Sequence, residues 1–177
     1  MIHATKEAGM VSPTLATPGI AHLTVPQLLA LHARIADELR GRGITRSSNN
    51  PIGDVAEYLF CKAFGWKQTG NSNRHFDAVD SDSTRYQIKG RRMTRYNHSC
   101  QLGALRDLAG AHFDFLGGIL FSEDYGIVRA EVIPCAVVVE HATFVARTNS
   151  HRFLLRDEIW DAAGVRDVTA ELRSVSL

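Results

Sequence analysis

The chain has 177 residues, 45% of them hydrophobic and 22% charged, with twenty basic against nineteen acidic side chains. That length holds one ordinary domain rather than two, and the composition excludes disordered and fibrous classes. A net charge of +1 excludes a wholesale polycation but leaves room for a local basic patch.

Residues 1–22 are expected to form a flexible arm, because Gly9, Pro13, Pro18 and Gly19 interrupt every period. They lack the apolar core of a secretory signal, and no apolar run has membrane-spanning length. Cys61, Cys100 and Cys135 are scattered, with no CxxC pair, which suits a reduced compartment. A cytoplasmic protein with a single domain over 23–177 is therefore expected.

Thr24 as cap and Pro26 in the first turn open a helix. Leu28, Leu31, Ile35 and Leu39 form its apolar stripe, and Gly41 or Gly43 ends it. A polar linker over 45–50 precedes a second helix, with Asn50 as cap and Pro51 at the first position. Ile52, Val55, Ala56, Leu59 and Phe60 share one side of this helix, and Gly65 closes it. Residues 75–80 and 85–91 read as two strands of a hairpin joined by Ser81-Asp82-Ser83-Thr84. A weaker helix pattern covers 99–108. The apolar run 113–121 predicts a central strand buried on both faces, and 127–133 predicts another strand. Pro134 starts a short helix, and at least one more is expected at the end of the chain, around 155–163. This order predicts an α/β (α+β) fold with a mixed central sheet flanked by helices.

The chemically informative stretch is His75-Phe-Asp-Ala-Val-Asp80 followed by Tyr86-Gln-Ile-Lys-Gly90. Strand alternation turns Tyr86 and Ile88 one way and Gln87 and Lys89 the other. Asp77 lies on the neighbouring strand and Glu57 on the preceding helix, so two carboxylates, an amide and an ammonium are expected at one patch. Mg²⁺ takes oxygen ligands from one or two carboxylates plus substrate phosphate, and an ammonium nearby can stabilise phosphoryl charge.

Asp77 and Gln87-x-Lys89 on a hairpin, after a helix bearing Glu57, resemble the active-site signature of the PD-(D/E)XK nuclease superfamily. The likeness covers roughly residues 50–133 and extends to the helix–strand–strand–helix–strand order. It implies a restriction endonuclease-like fold and a metal-dependent deoxyribonuclease of restriction or repair type. In that reading Asp77 and Gln87 are metal ligands, Lys89 is the catalytic lysine, Glu57 assists through water, and Mg²⁺ or Mn²⁺ is the cofactor. Phe76 stands where proline is usual, and neutral Gln87 stands at the Asp/Glu position, which weakens metal affinity.

Arg85, Lys89, Arg91, Arg92, Arg95 and Arg106 fall in a stretch without acidic residues, and Tyr96 offers a ring for base stacking. Arg91, Arg92, Arg95, Tyr96 and Arg106 are therefore the expected DNA contacts. Cutting both strands of a duplex would suit a homodimer. The alternatives are a DNA-binding module of the same fold that cleaves nothing, and a structural or interaction protein. His75 shares a strand face with Asp77 and is an accessory candidate. His22, His32, His112, His141 and His151 show no metal-ligand spacing and are expected to be ordinary surface or core residues.

Overall fold

The computed structural model describes residues 19–47, 49–70 and 75–177; most of the expected N-terminal arm lies outside them. Helix α1 (Val25–Gly41) starts as a capping box, in which the Gln27 side chain accepts the Thr24 amide at 2.8 Å. None of its residues is buried, and Leu29 and Ile35 remain exposed. Helix α2 (Ile52–Phe64) begins where Asn50 Oδ1 accepts the Ile52 amide at 3.2 Å, and left-handed Gly65 ends it.

The remaining elements build a mixed sheet. Strands β1 (Lys67–Gln68), β2 (Ala78–Val79) and β3 (Arg85–Arg92) run antiparallel in succession. Strand β4 (Phe115–Phe121) lies parallel to β3, and β5 (Ile127–Pro134) returns antiparallel to β4. After helix α3 (Cys135–His141) come a separate hairpin of β6 (Thr143–Val145) and β7 (Ser150–Arg152), then α4 (Asp157–Trp160). Strand β8 (Arg166–Asp167) closes the sheet in the order β1-β2-β3-β4-β5-β8, and α5 (Thr169–Arg173) follows it.

Each sheet face carries its own core. Val55, Ala56, Leu59 and Phe60 of α2 meet Tyr86, Ile88, Ile119, Phe121 and Leu172 on one face. Leu102, Leu105, Leu108, Phe153 and Leu155 meet Leu116, Leu120 and Ile133 on the other. Strand β4 is thus covered on both sides, as its unbroken apolar run requires.

Three expectations change. The strand over 75–80 shortens to two paired residues. The helix around 155–163 shortens to the four residues Asp157–Trp160, and the short elements β1, β6, β7, β8 and α5 carry too little periodicity to be read in advance. The helix over 99–108 does not form. Leu102 N donates to Phe153 O at 3.0 Å and Leu105 N to His151 O at 3.1 Å, so the backbone groups a helix needs are bonded to the 151–155 segment. What this stretch supplies is the crossover that two parallel strands demand. Among the described residues, no helix is long and apolar enough to cross a membrane.

Glu131 on β5 is fully buried, and neither carboxylate oxygen meets a hydrogen-bond partner among the described residues. Burial, with a smaller push from Asp167, raises its pKa from 4.5 to about 8. Between those values the native state holds a proton that the unfolded chain has released. Stability therefore falls as pH rises through that window. Urea titrations across it should show the wild-type midpoint falling and that of Glu131→Gln, neutral throughout, staying nearly flat.

Candidate functional site

Strand β2 pairs with β3 only at Arg85 and Tyr86, so beyond Tyr86 this edge of β3 has no backbone strand partner among the described residues. Asp77, just before β2, fills the gap with its side chain. Its backbone amide donates to Tyr86 O at 2.8 Å, and its Oδ2 accepts the Ile88 amide at 2.7 Å. A carboxylate oxygen stands where a further strand residue would present a carbonyl.

The same oxygen accepts from Gln87 Nε2, and Lys89 Nζ lies 3.4 Å away. Asp77, Gln87 and Lys89 therefore converge. Lys89 Nζ also donates to Ile88 O at 3.1 Å. Its stem runs past Gly103, where a Cβ would lie 3.2 Å from Lys89 Cδ.

Glu57 arrives from the opposite face of the sheet. Gly90 permits this: a Cβ there would meet Ile52 Cγ2 at 2.9 Å and Ala56 Cβ at 3.3 Å, so α2 lies directly on β3. Glu57 is 9% exposed, and its Oε2 accepts from Arg46 and, at 2.8 Å, from Gln68 Nε2. Burial, then the Asp77 charge, raises the Glu57 pKa; the Gln68 hydrogen bond and the Arg46 and Lys89 charges oppose the rise. The two carboxylates thus feel each other around the open edge of β3. Burial and the Glu57 charge also push the Cys61 thiol up to about 11, which removes it as a nucleophile at neutral pH.

Arg46 and Gln68 were not singled out from sequence. Arg46 sits in what reads as a polar linker and Gln68 in a two-residue strand. Asp54 Oδ2 accepts the Arg46 amide at 3.0 Å and the Ser47 amide at 3.1 Å, folding the linker back over α2. Arg46 Nη1 also reaches Thr69 O at 3.0 Å, and Thr69 N donates to Asp77 O at 2.9 Å. One polar network therefore runs from the linker to Asp77.

A groove of about 430 Å³ opens beside these groups, between the start of α2 and residues 101–104. Glu57, Lys89, Arg91 and Gln101 line it. The basic strip does not form one face. Arg91 follows Lys89 in parity and enters the groove, whereas Arg92 turns the other way, 4.9 Å from the Tyr125 ring centroid. Arg95 and Tyr96 occupy the tip of the tight turn closed by Thr94 and Asn97; Arg95 pairs with Glu123 at 3.1 Å, and Tyr96 is 88% exposed. Arg106 is exposed next to Leu105, on the stretch bonded to β7.

The oxygens of Asp77 and Glu57 are hard donors suited to a divalent cation with water in its shell. Gln87 turns its nitrogen toward Asp77, and a half-turn of the amide would present its oxygen in the same place. No family model matches the chain, and no curated protein matches it by sequence.

The two carboxylates give a direct test of this geometry. In an NMR titration Glu57 should titrate above an ordinary glutamate. Asp77→Asn should lower its pKa by removing a like charge, and Arg46→Met should raise it further. An unmoved Glu57 in Asp77→Asn would mean that the carboxylates are not neighbours.

Proposed function

We propose that this chain is a metal-dependent deoxyribonuclease with a PD-(D/E)XK-type site. The observation that carries the reading is the meeting of Asp77, Gln87 and Lys89 on one open strand edge, with Glu57 brought round from α2. The antiparallel β1–β2–β3 run, the parallel β3–β4 step and the preceding α2 support it, because they resemble the restriction endonuclease-like core.

In this reading Asp77, with the Gln87 amide oxygen and Glu57, would hold Mg²⁺ or Mn²⁺. The ion, when bound, supplies Lewis-acid polarisation of the phosphoryl oxygen and a water of lowered pKa. Lys89, held between Asp77 and the Ile88 carbonyl, donates toward the phosphate and offsets charge gathered at phosphorus. Arg91 in the groove neutralises an adjoining phosphate. Glu57 keeps its place through Arg46 and Gln68, so those two act as positioning residues.

A second reading, a DNA-binding module that does not cut, is favoured by one feature: Gln87 brings no charge, and its amide and the Lys89 ammonium already satisfy Asp77. Plasmid cleavage separates the two. The nuclease should nick supercoiled DNA only with Mg²⁺ or Mn²⁺ and lose activity in Asp77→Ala and in Lys89→Ala. Salt-sensitive binding without cleavage in either metal would establish the second reading. Calorimetric Mn²⁺ titration should show tighter binding in Gln87→Glu than in wild type, and loss in Asp77→Ala. Equal affinity in all three would remove the metal site.

The split of the basic strip predicts unequal effects on DNA binding. Arg91→Ala should lower the slope of log K against log salt by roughly one, the value of one lost phosphate contact. Arg92→Ala, whose guanidinium lies over Tyr125, should leave the slope unchanged.

A further inference from the structure

We propose that His75, Asp107 and His112 form a second metal site, for Zn²⁺ or a similar borderline-soft divalent ion, distinct from the groove. One ligand atom from each lies within 4.8 Å of the other two, the single such triad of histidine, cysteine or acidic groups among the described residues. His112 Nε2 stands 2.6 Å from Asp107 Oδ2, and the His75 and His112 ring centroids are 4.0 Å apart.

Zinc binds nitrogen and carboxylate oxygen at about 2.0–2.2 Å, so tetrahedral ligand atoms stand roughly 3.3 Å apart. The His112–Asp107 separation of 2.6 Å is shorter than that value and the other pairs lie within 4.8 Å, so closing on an ion needs side-chain movements on the order of 1 Å. Such movement is open to these residues, because His75 and Asp107 are exposed and His112 is half-buried.

The backbone beneath them is anchored. Asp107 and His112 flank the single turn Leu108–Gly110, and buried Leu108 and Phe113 pin its two ends. Asp107 and Ala111 both adopt left-handed backbone, at φ 51° and 44°, which is uncommon for residues other than glycine. A Cβ at Gly110 would run into the His112 ring, so that glycine lets the ring lie across the turn toward Asp107. Two residues on from His75, the Asp77 backbone amide is tied to Tyr86 O at 2.8 Å.

Two imidazoles and one carboxylate are the donor set of an open zinc site, with a fourth position left to solvent or a ligand. The groove offers carboxylate and amide oxygens instead, a set suited to Mg²⁺. His75 stands two residues before Asp77 in sequence, yet its ring goes to His112 while Asp77 turns to Gln87.

Tag-free protein titrated with Zn²⁺ in a calorimeter should bind one ion at this site. His75→Gln and His112→Gln should each weaken that binding by roughly tenfold or more, while circular dichroism shows the fold retained. Asp77→Ala should leave it unaltered, so that failure here and failure of the nuclease site are told apart. Co²⁺ in place of Zn²⁺ should give ligand-field bands without thiolate charge-transfer absorption. Unchanged Zn²⁺ affinity in both histidine variants, loss of binding in Asp77→Ala, or a thiolate band from the free cysteines would each overturn the proposal. So would no Zn²⁺ binding by the wild-type protein.

Discussion

The early end of β2 is the constraint on which the site depends. Two paired residues leave most of one edge of β3 without a backbone strand partner among the described residues, and an unpaired amide there is costly unless water or a side chain reaches it. Asp77 reaches the Ile88 amide and in doing so brings its carboxylate beside Gln87 and Lys89. The hydrogen bond that finishes the strand edge and the one that assembles the polar cluster share a single oxygen.

Two carboxylates near one another in a partly buried place would be unstable if left alone. Here Lys89 answers Asp77, and Arg46 with Gln68 answers Glu57. The balance is incomplete, which is why the Glu57 carboxyl remains raised. A group so perturbed beside a groove has the electrostatic character of a functional site, although structural ion-pair networks share it. Glu131 is the contrasting case: fully buried inside the sheet, with no hydrogen-bond partner among the described residues, so burial outweighs the Arg129 charge and raises its pKa.

The 93–114 crossover serves both ends of the sheet. Its middle places Gly103 against Lys89 and, with Gln101, forms one wall of the groove. Its last turn carries Asp107 and His112 toward His75. Leu102, Leu105, Leu108 and Phe113 hold the 102–113 part of this stretch onto the second face.

Local sequence determined α1, α2, β3, β4 and β5, because caps, apolar period and unbroken apolar runs act over a few residues. It also determined that Gln87 and Lys89 share a face, since strand parity needs no partner. The tertiary structure alone decided the rest. The leucines at 102, 105 and 108 have helical spacing, but hydrogen bonds to 151–155 claim the backbone of Leu102 and Leu105, and Leu108 only opens the single turn Leu108–Gly110. Arg91 and Arg92 are neighbours in the chain and part company once the strand is placed between two cores. Glu57 comes within electrostatic reach of Asp77 because Gly90 lets α2 close on β3, and the His75 and His112 rings meet across a long stretch of chain. Each of these depends on contacts between segments distant in sequence, which no local pattern records.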